Sequence, residues 1–294
     1  MLVKTLQSSR LGWSVFAQFT EYKRSLNPED RRLAYPAAKS YLLRFGGEDD
    51  SNAKEVRKFI VDYERAVNRE PIFAAYNAKN YAKAFELGRP HLKADADDFF
   101  VLATLSEAGY ENALAGNATL NEETTGYTRR AIQLLEGGKL TKADPFINME
   151  VAKGFLNSTL GYFVKDQAPL EAAAAFLKAA QSDSIYRNDP AIYHRMGVAL
   201  IKGEFTQLSA EYNEKYGAKQ ASSEQQAMLK QIMNTADRAI DAYARAVALS
   251  AKPEQAEART KILAQLTALY KNFHNNSDAG LNDLIATVLS KPLP

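Results

Sequence analysis

Apolar residues recur along nearly the whole chain at three- and four-residue steps, and the connections between these periodic stretches are short. Residues 53–69 show the pattern well: Val56, Phe59, Ile60, Tyr63 and Val67 form one stripe on an otherwise charged segment. No stretch alternates convincingly in the manner of a strand. Helix ends are marked by residues with a physical role. At Asn27-Pro28-Glu29-Asp30 a capping amide precedes a proline suited to the first turn, and two acids lie at the positive end of the helix dipole. Gly46-Gly47 closes that helix, and Pro71 is expected to break or kink the next. The result is about twelve helices, and short connections make sequence neighbours antiparallel. The hairpins are 10–24 with 28–45, 53–78 with 80–94, 98–116 with 122–137, 146–165 with 169–182, 190–203 with 224–250, and 255–274 with 278–290. About six hairpins in series predict an all-α fold, an α-solenoid.

Two hairpins repeat one pattern. In the fifth, Tyr193, Met196-Gly197 and Leu200 precede Ala239, Tyr243, Ala246 and Leu249. In the fourth, Leu160-Gly161 precedes Ala172, Phe176 and Ala179, and in the second, Asn80-Tyr81 is followed by Ala84-Phe85. Two helices that cross closely need a small residue where their backbones meet and a large one beside it. Gly161, Gly197, Ala172, Ala239 and Ala246 are the expected contact points, with Phe176 and Tyr243 as fillers. This spacing resembles the tetratricopeptide-repeat family over about residues 71–95 and 146–274. The resemblance implies a right-handed solenoid in which the first helices of the hairpins line a concave, peptide-binding face.

The organisation that follows is a divergent helical segment over residues 1–70 and a continuous array over 71–294. The array holds an insertion at 206–234, read as an extra helix from Ser223 onward that lengthens the second helix of its pair. A C-terminal helix from Ser277 to Pro294 is expected to cap the last apolar face.

Signatures of chemistry are few. With Cys 0, there is no disulfide, thiolate metal site or cysteine nucleophile. Lys+Arg 37 against Asp+Glu 35 leaves a net charge of +2, and each basic cluster has acids on its own segment, which argues against nucleic acid as a partner. No glycine-rich phosphate loop or nucleophile elbow is present. His91, His194 and His274 are scattered and read as isolated surface or groove histidines, and Asp95, Asp97 and Asp98 read as solvated acids at a helix start. The expectation is a chain without catalytic residues, cofactor or metal. It has no transmembrane segment and no signal-peptide core, so the default compartment is the cytoplasm, with an extracytoplasmic one if a leader has been removed.

The face offset from the packing face, read on the first helices, gives the candidate groove. It comprises Phe155, Ser158, Tyr162 and Lys165, then His194 and Val198 with Ala191 and Ile201, then Lys261 and Lys271 with Ala264 and Ala268. Apolar content with a few cations suits a peptide with hydrophobic side chains and an acid or carboxylate end. Trp13 and Phe16, on an aromatic-rich amphipathic start, form a second candidate interface that otherwise packs on the next helix. The function expected is a non-catalytic protein-interaction scaffold or assembly factor, with homo-oligomerisation left open. The alternative is a structural subunit of a larger, membrane-associated complex.

Overall fold

The computed structural model describes residues 14–25, 27–47, 51–217 and 222–293. Every regular element among them is helical, with 80% helix and no strand. The helices pack against their neighbours in sequence order, compatible with an α-solenoid. Two compact units divide the chain, Met1–Ala78 and Lys79–Pro294, so the division falls after the 1–70 boundary read from the sequence. Among the described residues, no helix is long and apolar enough to cross a membrane.

In the first unit, α1 (residues 14–24), α2 (Pro28–Phe45) and α3 (Ser51–Asn77) surround a core of Phe19, Ala34, Ala38, Tyr41, Ala53 and Val56. Asn27 caps α2 as its sequence suggests, its Oδ1 accepting the Glu29 N–H at 3.0 Å. Phe16 is half-buried against the Phe19 and Tyr41 rings, at 5.9 and 5.6 Å, so it contributes to this core; Trp13 lies outside the described residues. Tyr35 of α2 stacks on Tyr63 of α3 at 4.7 Å. Contrary to the expected break, α3 runs through Pro71 to Asn77. A helix continues past a proline when the neighbouring turns keep their own hydrogen bonds, losing one bond, here the one that would reach the Val67 carbonyl.

The second unit holds α4 (Tyr81–Ala94), α5 (Phe99–Leu114), α6 (Asn121–Glu136), α7 (Met149–Val164), α8 (Pro169–Gln181) and α9 (Pro190–Leu200). A π-helical turn (Ile201–Phe205) leads into α10 (Thr206–Lys215), followed by α11 (Ser223–Leu249), α12 (Ala256–Phe273) and α13 (Leu281–Thr287). Side-chain caps on Asn80, Asp98, Asn148, Asp189 and Ser222 start five of these helices, each satisfying a backbone N–H that has no partner inside the helix. The expected hairpins α5/α6, α7/α8 and α9/α11 pack as pairs. Of the expected 53–78 and 80–94 hairpin, α3 lies in the first unit, where it packs on α2, and α4 lies in the second, where it packs on α5.

The small-against-large contacts are present at the expected positions. A Cβ added to Gly161 would lie 2.7 Å from Phe176 Cε1, and one added to Gly197 would lie 2.9 Å from Tyr243 Cδ2. Ala172, Ala239 and Ala246 have no exposed surface. Residues 206–234 extend a helical hairpin: α9 continues through the π turn into α10, and α11 begins at a Ser222/Gln225 capping box. Gln225 Nε2 also donates to Tyr212 Oη at 2.8 Å, fastening the two extensions together. The last helix departs from the expected pairing, because α13 and its terminal 3-10 turn (Val288–Ser290) pack on α11. Arg245, buried on α11, holds the tail that follows. It pairs with Asp241 at 2.5 Å and donates to the Lys291 and Pro292 carbonyls at 3.1 and 2.8 Å.

Candidate functional site

Three successive first helices converge on one aromatic patch. Tyr110 projects from α5, and its ring meets those of Phe155, Tyr162 and Phe163 on α7 edge-on, with centroids 6.0, 5.2 and 6.4 Å apart. Residues 155, 162 and 163 share one side of α7, while Gly161 faces α8, so helical periodicity divides α7 between packing and patch. Arg195 reaches in from α9. Its guanidinium lies 5.2 Å from the Tyr162 ring centroid and donates to Tyr110 Oη at 3.4 Å. The Lys165 ammonium also lies over Tyr162, 4.3 Å from the ring centroid. Phe146 and Tyr186 complete the wall, 5.4 and 6.2 Å from Phe155. Tyr186 belongs to the 3-10 turn Ile185–Asn188, which lies so close to α7 that a Cβ at Gly154 would come within 2.6 Å of its ring.

Glu107 stands one turn before Tyr110 on the same face of α5. Burial, reinforced by Glu111 four residues on, raises its carboxyl to about 7. Glu107 in turn helps burial raise the Tyr186 hydroxyl to about 12, so that phenol is neutral throughout the physiological range. Tyr81 of α4 donates to Glu111 at 2.5 Å. Tyr110, Tyr162, Tyr186, Arg195 and Glu107 all remain half-exposed, so the patch is reachable from solvent.

The sequence-derived groove residues divide into three groups. Phe155 and Tyr162 sit in the patch, Phe155 largely buried, with Lys165 over Tyr162 at its edge. Ser158 is buried within α7. His194 and Val198 are half-buried on α9, where His194 Nε2 lies 2.8 Å from Gln265 Oε1 and its ring packs on Tyr243. The cations are mostly committed elsewhere: Lys261 pairs with Glu257 at 2.6 Å, Lys271 with Asp278 at 3.2 Å and Lys165 with Asp166 at 3.4 Å. Lys202 and Lys165 together hold the Asp166 carboxyl below its usual range. A lysine with an acid at i−4, or in the next loop, is neutralised within its own hairpin.

Tyr110, Tyr186, Arg195 and Glu107 were missing from that groove. Glu107 carried a sequence signal, being the sole charged residue between Asp98 and Glu111 in a strongly apolar helix. Tyr186 carried none, because its position depends on the turn after α8.

Two further readings need correction. Asp98 is not a solvated acid: it is 2% exposed, caps α5 through the Val101 N–H at 3.3 Å and lies 2.7 Å from His91 Nε2. His91 therefore has an acid partner, brought to it by the tight turn between α4 and α5. Donor atoms of His91, Asp95 and Asp98 lie within 4.8 Å of one another, a grouping able to hold a metal ion. Asp97 remains exposed and pairs with Arg130. His274 stacks on Tyr270 at 3.7 Å.

Comparison with known proteins finds no matching family model, no similar curated protein and no similar solved structure.

Proposed function

We propose that the second unit is a right-handed α-solenoid of tetratricopeptide-like hairpins and that the protein acts without catalysis as an interaction scaffold. Its ligand is an extended or helical peptide segment bound along the first helices. The observation that carries this reading is the convergence of Tyr110, Tyr162 and Arg195 from α5, α7 and α9 on a patch open to solvent. Tyrosines and arginines are enriched among the side chains that supply most binding energy in protein interfaces, tyrosine because it buries large area with little rotamer entropy and arginine because its planar guanidinium stacks and donates several hydrogen bonds. Ile147 and Ile185, the residues next in sequence to Phe146 and Tyr186, are 87% and 75% exposed.

The test uses random linear peptides displayed on phage, selected against the wild-type protein and against a Tyr110→Ala/Tyr162→Ala variant. Peptides recovered by the wild type and lost by the variant are expected. Recovery of the same peptides by both, or of none, overturns the proposal.

A further inference from the structure

Glu107 is the feature of this patch that structural needs do not explain. It caps no helix, and no Lys, Arg or His among the described residues pairs with it or donates a hydrogen bond to it. Half-buried carboxylates normally acquire such a partner, since the charged form loses hydration on burial. The surroundings make the deficit larger. Glu111 adds a second carboxylate on the same face of α5, and the Tyr110, Phe155 and Tyr186 rings of the patch bring no positive charge. Of the two cations at the patch, Arg195 is turned onto the Tyr162 ring and Tyr110 Oη, and Lys165 lies over the Tyr162 ring and pairs with Asp166.

Resting on the peptide-binding reading above, we propose that this part of the patch is a subsite for a cationic side chain, the lysine or arginine of a bound peptide, with Glu107 as its counter-ion and Tyr110 and Tyr186 as its aromatic walls. Charge complementarity selects this occupant over the acidic peptide end that the groove lysines suggested, because those lysines are already paired. A carboxylate buried without its own cation is an unfavourable arrangement that a ligand cation relieves, so binding energy concentrates at this point. The other charged and titratable groups around the subsite are Tyr110 and Glu111 on the same helix, Tyr81 on α4, Tyr162 and Lys165 on α7, Tyr186, Arg187 and Asp189 after α8, and Arg195 on α9. Glu107 titrates near neutrality, so a bound cation draws its proton off, and affinity rises with pH across that range.

The experiment reads the sequences of the selected phage peptides and then titrates the synthetic form of the most enriched one by calorimetry. Enrichment of Lys or Arg at one peptide position is expected. Glu107→Gln should then weaken that peptide by roughly tenfold or more. Replacing the peptide cation with norleucine should weaken the wild type similarly and leave Glu107→Gln nearly unaffected. The affinity gain between about pH 6 and about pH 8 should disappear in Glu107→Gln. Circular dichroism of the variant confirms that the fold is retained. Selected peptides lacking a cation, or enriched in acids, overturn the subsite while leaving the peptide-binding reading intact; recovery of no peptide at all removes both.

Discussion

Gly161 and Gly126 both lie inside helices of the second unit, and the same change to alanine should move stability in opposite directions. At Gly161 the new Cβ would sit 2.7, 2.8 and 2.9 Å from Phe176 Cε1, Cζ and Cδ1, whereas ordinary contact begins at 3.4 Å. The ring must therefore retreat by about 0.7 Å, and Phe176 is 0% exposed, with the α7/α8 interface closed around it. Overpacking of this kind costs about 1–3 kcal/mol, while exchanging glycine for alanine in a helix returns about 1 kcal/mol. The net expectation is a loss of about 1 kcal/mol. At Gly126 of α6 nothing lies within 4 Å, so only the helix gain of about 1 kcal/mol remains. The two variants should differ by about 2 kcal/mol, or roughly 4–8 °C in melting temperature for a unit of this size. Differential scanning calorimetry of both proteins with the wild type provides the assay. A Phe176→Leu background, which makes room beside Gly161, should remove most of the Gly161→Ala penalty. If Gly161→Ala melts at or above Gly126→Ala, the close α7/α8 crossing is wrong, and with it the register that places Tyr162 in the patch.

Other measurements test the remaining assignments. Because the Glu107 carboxyl is raised from 4.5 to about 7 in the folded chain, the native state binds more protons than the unfolded one between those values. Its contribution therefore lowers stability as pH rises through that window. Glu107→Gln should flatten this pH dependence in urea titrations and add on the order of 2 kcal/mol at about pH 8; an unchanged profile would refute the unpaired-carboxylate description. Arg245→Ala removes the cation beside Asp241 and the two hydrogen bonds to the tail, and should cost about 3 kcal/mol. Limited proteolysis should then cut first between α13 and the C-terminus, and an unaltered cleavage pattern would dissociate Arg245 from holding that tail.

Much of the fold was legible because it rests on local periodicity. The stripe of Val56, Phe59 and Ile60, the Asn27 cap, and the pairing of Gly161 with Phe176 and Gly197 with Tyr243 all follow from spacings of three and four and from residue size. Tertiary context prevailed wherever a local rule met a competing contact. Pro71 did not end α3, and the C-terminal helix packs on α11, where Leu281 and Val288 are buried, in place of pairing with α12.

The candidate site was legible only in part, and the division has one cause. Phe155 and Tyr162 could be read because they lie on one face of one helix, and helical geometry alone puts them together. Tyr110, Tyr186, Arg195 and Glu107 come from different helices and a turn, and the distances between them are set by how α5, α7 and α9 pack. Among the groove lysines, Lys165 and Lys261 pair with acids one and four residues away along the chain, which local spacing already placed beside them, whereas Lys271 meets Asp278 across the turn after α12. By itself the sequence determined which faces are apolar and where helices start, since both are properties of consecutive residues. Only the tertiary structure decided which charges remain unpaired, because neutralisation depends on neighbours in space.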